Sequence, residues 1–110
     1  WVGFYLLDEK TNTLVLGPFQ GLPACVRIQN GEGVCGTSAS LKKTLNVENV
    51  HNFKGHIACD GKSNSEIVIP IFRNDKIFGV LDIDSPIFNR FSKEEETYLE
   101  AFVKQLETHI

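Results

Sequence analysis

The alternation of apolar and polar residues divides the 110-residue chain into a strand-rich front, an irregular middle and a strongly patterned end. The opening run WVGFYLL combines aromatic and branched residues and predicts a strand over 1–7, closed by the polar turn DEKTN. A second strand is expected over 14–17, with Pro18 and Gly21 bending the chain beyond it. ACVRI predicts a short third strand over 24–28. Glycines at 31, 33 and 36 then break regularity ahead of a short helix expected near 34–43. A brief extended piece at 45–47 leads into a long polar loop over 50–65. EIVIPIF (66–72) and IFGVLDID (77–84) predict two apolar strands joined by RNDK, a hairpin signal. The last segment predicts a helix. Ser92 and Glu95 form a capping box, and acidic residues gather in the first turn, where the helix dipole favours them. Tyr98, Leu99, Phe102, Val103, Leu106 and Ile110 recur at helical spacing. This order predicts one α+β domain over 1–110, a central antiparallel sheet flanked by helices.

The two late strands also carry chemistry. Asp82 and Asp84 are two residues apart, so their side chains share one face, with Leu81 and Ile83 on the other. The same alternation puts Phe78 and Val80 beside the aspartates, so that face is not simply wet. Glu66 opens the partner strand, and the hairpin register decides whether it joins them. A two-residue turn at Asn74-Asp75 pairs Glu66 with Ile83, on the wrong face. A three-residue loop sets it across from Asp84. Only the longer loop also gathers Ile67, Ile69 and Ile71 with Leu81 and Ile83, as a single core requires, so it is the expectation. Three carboxylates on one partly apolar face need a cation: a metal ion, a lysine or the ammonium of a ligand. Oxygen ligands suit a hard divalent ion. No calcium-loop spacing is present, and an ammonium serves at least as well.

Composition narrows the class. At 42% hydrophobic and 23% charged residues the chain is ordinary for a globular domain, and its length supports a single core. A net charge of −3 and a pI near 5.6 give no attraction to nucleic acid or to an anionic membrane. No apolar run approaches the ~20 residues of a transmembrane helix, and no signal peptide is visible. The chain contains no Met and begins inside an apparent strand, so an N-terminal truncation is expected. Three cysteines without a CxxC pair argue against a secreted disulfide framework and predict a reducing, cytoplasmic setting.

Among those cysteines, Cys59 is the odd one. It lies in GHIACD, three residues after His56 and just before Asp60, and runs into the polar stretch GKSNS. A structural cysteine is a small buried hydrophobe, which suits Cys35 between Val34 and Gly36 but not Cys59. A zinc site built from Cys25, Cys35, His56 and Cys59 lacks the paired knuckle of structural zinc. The functional reading is a reactive thiol with a lowered pKa, able to form an internal disulfide with a second thiol in reach.

Taken in order, WVGFYL, LGPFQG, ACVRI, GEGVCG, GHIACD, SNSEIVIPI and GVLDIDS resemble the free methionine-R-sulfoxide reductases, a branch of the GAF-domain superfamily. The likeness runs from Trp1 to about Phe91. Generic GAF sensors do not carry these three cysteines in these contexts. The resemblance implies a GAF fold and cofactor-free reduction of free methionine-R-sulfoxide to methionine. It also implies a role for each residue. Cys59 is the nucleophile that becomes a sulfenic acid, and Cys25 is the resolving thiol that condenses with it. Cys35 is a secondary recycling thiol or a packed one, and thioredoxin reduces the disulfide. Glu66, Asp82 and Asp84 surround the substrate, one of them donating a proton to the sulfoxide oxygen. Trp1 and Tyr5 contact its methyl-sulfoxide end. Family members begin with a helix that adds dimer contacts, so a homodimer is expected of the family and the missing helix of this chain. The alternative is a non-catalytic GAF module that senses oxidants through Cys25 and Cys59 or binds an amino acid-like ligand.

Overall fold

The structure is a computed structural model that describes residues 1–57, 59 and 61–110. Ala58 and Asp60 of the GHIACD stretch lie outside the described residues. The opening aromatic run forms β1 (Val2–Asp8), which returns as β2 (Thr13–Gln20). β2 outruns its expected end and passes through Pro18. Between the pairs Gly3–Phe19 and Tyr5–Leu16, one residue of β1 faces two of β2. A bulge of this kind is where a strand accommodates proline, because the ladder is already interrupted.

β3 is Arg27–Gln29, later than ACVRI suggests, and Cys25 lies ahead of it outside the strand. The Tyr5 hydroxyl donates to the Cys25 carbonyl at 2.9 Å, and the Leu16 amide donates to the Val26 carbonyl at 2.8 Å. These bonds hold the approach to β3 beside β2. Helix α1 (Gly33–Leu41) ends where Lys42 turns left-handed, and β4 (Leu45–Val47) follows. A 3₁₀ turn, Val50–Asn52, opens the long loop. β5 (Ser65–Arg73) and β6 (Lys76–Ser85) form the expected hairpin, and α2 (Lys93–Glu107) starts from the expected capping box.

The six strands make one antiparallel sheet in the order β3-β2-β1-β6-β5-β4. Alternation along β5 and β6 supplies both of its cores. On one side Tyr5, Leu14, Val68 and Val80 pack with Val34, Cys35 and Ala39 of α1. On the other, Ile67, Ile69, Ile71 and Leu81 meet Phe91 and Val103. Burying each such aliphatic side chain stabilises the fold by about 1.5–3 kcal/mol. On α2, Leu99, Val103 and Leu106 face the sheet, whereas Tyr98 and Phe102 are 67% and 52% exposed. That pair, one turn apart, forms a flank of the apolar stripe that the sheet does not reach. No helix among the described residues is long and apolar enough to cross a membrane.

The hairpin reaches the expected register by another route. Glu66 faces Asp84 and Ile67 faces Ile83, but the turn has two residues, Asn74 and Asp75, with φ of 53° and 65°. The extra residue sits in a bulge instead: Phe72 pairs with Ile77 and Ile71 with Gly79, leaving Phe78 unmatched. Phe78 therefore turns away from the aspartates and packs on the isoleucine side, under the Arg73 guanidinium at 4.9 Å.

Candidate active site

Cys25 and Cys59 are joined by a disulfide, with Cα atoms 5.1 Å apart across 34 positions of sequence. Each thiol reaches the bond through local geometry. Cys25 is set by the Tyr5 hydroxyl on its carbonyl. Cys59 closes a tight turn, its amide donating to the Ile57 carbonyl at 3.0 Å. The bond takes two ligands from the four-residue zinc set considered above.

Glu66 and Asp82 project from β5 and β6 onto the α1 side of the sheet and are only 6% and 4% exposed; Asp84 lies at half-buried depth beside them. The Sγ of Cys35 lies 3.9 Å from Glu66 Oε2, and the sulfur and carboxylate oxygens of Cys35, Glu66 and Asp82 are all within 4.8 Å of one another. Burial, reinforced by the two aspartates, pushes the Glu66 carboxyl well above the usual carboxylate range. Burial, together with Asp82 and Glu66, also pushes the Cys35 thiol well up. Cys35 is thus held as a neutral donor towards Glu66. Partial burial and the neighbouring His51 pull His56 down, favouring its neutral imidazole.

Six of the eight expected site residues meet around one cavity: Tyr5, Cys35, Cys59, Glu66, Asp82 and Asp84. Cys25 is tied to it through the disulfide. Trp1 does not line it. Its ring stacks on Tyr5 at 6.0 Å and on Phe19 at 5.6 Å, and its indole N–H donates to the Leu22 carbonyl at 3.0 Å. The ring occupies the space that a side chain at Gly3 would fill, so Gly3 lets Trp1 stand behind Tyr5. The cavity measures about 20 Å³. That is room for roughly one water, against the roughly 300–1,000 Å³ of a ligand pocket.

Residues 1–110 match the family model described as GAF domain. The chain belongs to the GAF domain family. This GAF domain is 57% identical over 107 residues to the free methionine-R-sulfoxide reductase of Escherichia coli K12, a match covering 97% of the chain and 64% of that protein. It is similar to the fRMsr of Staphylococcus aureus in its reduced form, with a TM-score of 0.93 and 61% identity over 98% of this chain and 69% of that one. It is similar also to the free methionine-R-sulfoxide reductase of Neisseria meningitidis in complex with its substrate. There the TM-score is 0.96 and the identity 45%, over 98% of this chain and 65% of that one. These matches place the GAF domain in the free methionine-R-sulfoxide reductase branch. It spans 66% and 64% of the length of the curated relatives from Bacillus subtilis and Escherichia coli.

The GAF domain's site brings a two-electron thiol pair against an acidic, partly apolar cavity. Sequence reasoning missed two of the cavity's walls. Ser63 reads as one more polar loop residue, yet it is 6% exposed and lines the cavity. Gly33 reads as a break in regularity, yet it opens α1 and borders the cavity too. Neither position has a periodic signal, because loops and helix starts have none.

Proposed function

We propose that this GAF domain reduces free L-methionine-(R)-sulfoxide to L-methionine. The observation that carries the reading is the Cys25–Cys59 disulfide at a cavity walled by Glu66, Asp82 and Asp84. In the dithiol state, Cys59 attacks the sulfoxide sulfur. The oxygen passes to Cys59 as a sulfenic acid, and methionine leaves with its sulfur reduced by two electrons. Glu66, favoured in its protonated form, supplies the proton to the departing oxygen. The Cys25 thiol then condenses with the sulfenic acid, releasing water and forming the disulfide.

The acidic cluster accounts for a free amino acid as substrate. An α-ammonium neutralises carboxylates that repel one another, whereas a residue within a protein offers a neutral amide. Tyr5 borders the cavity with Trp1 stacked behind it, and the two aromatic rings suit a methyl on sulfur. A cavity of about 20 Å³ cannot hold methionine, so the disulfide form is a closed state. Reduction reopens it. The disulfide is half-buried, and Leu22 and Val26 beside Cys25 are 50% and 62% exposed. This combination suits a dithiol protein such as thioredoxin as reductant. A cytoplasmic enzyme acting as a homodimer completes the reading.

The test is a coupled assay with thioredoxin, thioredoxin reductase and NADPH on the full-length protein. NADPH consumption is expected with the R epimer of free methionine sulfoxide and not with the S epimer. Cys59→Ser should abolish it. Cys25→Ser should release about one methionine per site and leave a sulfenic acid that dimedone traps. Repeated turnover by Cys59→Ser would remove Cys59 as nucleophile. Oxidation of the cysteine pair by peroxide, without methionine release, would leave a redox sensor in its place.

A further inference from the structure

A disulfide that closes on a sulfenic acid in every cycle works best with one thiol that waits and one that travels. The two cysteines are held in different ways. Residues 21–26, which carry Cys25, form neither helix nor strand and include Pro23, which has no amide to donate. Three of their carbonyls nonetheless accept from β1, β2 and the residue before β1. Leu22 accepts from the Trp1 indole N–H at 3.0 Å, Cys25 from the Tyr5 hydroxyl at 2.9 Å and Val26 from the Leu16 amide at 2.8 Å. None of these bonds runs through the disulfide. Among the described residues before Cys59, by contrast, backbone bonds reach back only from Cys59 to Ile57 and from His56 to Phe53.

The two side-chain donors are themselves fixed. Tyr5 is 1% exposed on β1, with Val80 of β6 opposite it. The Trp1 carbonyl accepts from the Asp84 amide at 2.9 Å, and its ring is stacked on Tyr5 and Phe19. Gly21 brings the segment against that ring. A Cβ there would lie 2.6 Å from Trp1 Cδ1, closer than real contacts allow.

We propose that the Tyr5 hydroxyl and the Trp1 indole N–H are positioning groups for the resolving step. They keep Cys25 in place while the Cys59 loop reacts, so that the oxidised loop closes on a thiol already waiting. In that step Cys25 Sγ attacks the sulfenic sulfur, the S–S bond forms, the S–O bond breaks, and the oxygen leaves as water with the thiol proton. Fixing one partner raises its effective concentration towards the other. The inference rests on the proposed reductase only for the origin of the sulfenic acid.

Tyr5→Phe and Trp1→Phe each remove one donor and keep an aromatic ring. The full-length reduced protein is given one equivalent of methionine-R-sulfoxide with dimedone present, and the ratio of dimedone-captured Cys59 to Cys25–Cys59 disulfide is read by mass spectrometry. Each variant should raise that ratio about fivefold, the scale of one hydrogen bond. A role confined to substrate contact would alter KM and methionine release and leave the ratio at the parent value. A second measurement needs no substrate. The two bonds and the disulfide hold the same segment and support one another, so in a dithiothreitol redox titration each variant should open under less reducing conditions than the parent. A parent-like capture ratio in both variants, or a parent-like titration in both, would overturn the inference. Hydrogen peroxide separates it from the reductase reading, because it oxidises the Cys59 thiolate to the same sulfenic acid. No methionine from the sulfoxide, with the raised ratio after peroxide, would fail the reductase alone. Methionine release with a parent-like ratio would fail only the positioning role.

Discussion

Glu66 shows how one side chain ties the chemistry of the site to the stability of the fold. Its folded pKa lies well above the ordinary 4.5, through burial first and then Asp82 and Asp84. The folded state thus binds this proton more tightly than the unfolded chain does. Stability is greatest while Glu66 is protonated in both states, falls as pH rises from about 4.5 through the raised folded value, and stays lower above it. Glu66→Gln removes the charge and this source of pH dependence. The variant is expected to melt at a higher temperature than the parent at pH 8, by about 4–8 °C for each kcal/mol of relieved repulsion, while its KM for methionine-R-sulfoxide rises. Melting curves of the ligand-free protein from pH 5 to 8 decide it; a parent curve that does not decline would remove the repulsion argument. The membership of Glu66 was legible because a strand has period 2 and the isoleucines had to share a face. The inward hydroxyl of Ser63 was not, because a loop has no period from which to infer direction. Trp1 stacks on Tyr5 outside the cavity lining, a placement that depends on the missing side chain at Gly3.

At the scale of elements, the β5–β6 hairpin aims the acidic cluster, and its register depends on one bulge. Hydrophobic consistency alone required an odd residue somewhere between Ile71 and Gly79. It could not say whether that residue lay in the turn or in the strand, because both give the same pairing beyond it. The turn settles on two residues because Asn74 and Asp75 tolerate positive φ, the backbone that a two-residue hairpin needs. The surplus then falls at Phe78. Asp75 still holds a conformation that glycine adopts without steric cost. Asp75→Gly is expected to stabilise the fold by about 0.5–1 kcal/mol with no change in kcat, and a melting curve beside a steady-state assay checks both. A loss of stability would mean that the Asp75 side chain, not its backbone, fixes the turn. The same limit explains β2, where Pro18 reads as a stop until the pairing with β1 supplies a bulge to hold it.

The whole molecule divides its labour between the faces of one sheet. The α2 side is a plain core of isoleucines, leucines and valine around Phe91. The α1 side gives up part of its core to buried acids, and the long loop covers it, pinned by the disulfide across 34 positions. Closing a loop of that length stabilises a fold by about 2–4 kcal/mol, chiefly by restricting the unfolded chain. Opening it should not loosen the molecule evenly. β5 is held between β4 and β6, and its residues from Ser65 to Ile71 are buried. Among the described residues between Phe53 and Cys59, the backbone bonds are short-range, His56 to Phe53 and Cys59 to Ile57, reaching back three and two positions. Reduction should therefore raise amide hydrogen exchange at His56 and Cys59 by tenfold or more, the effect of losing about 1.4 kcal/mol of local protection. Amides of Ile67, Ile69 and Leu81 should keep their rates. Adding methionine to the reduced protein should restore protection at His56, as the loop settles over a filled cavity rather than over a disulfide. Uniform acceleration across the sheet would instead make the disulfide a staple of the entire fold, and unchanged rates at His56 would mean that the cavity admits substrate without moving this loop.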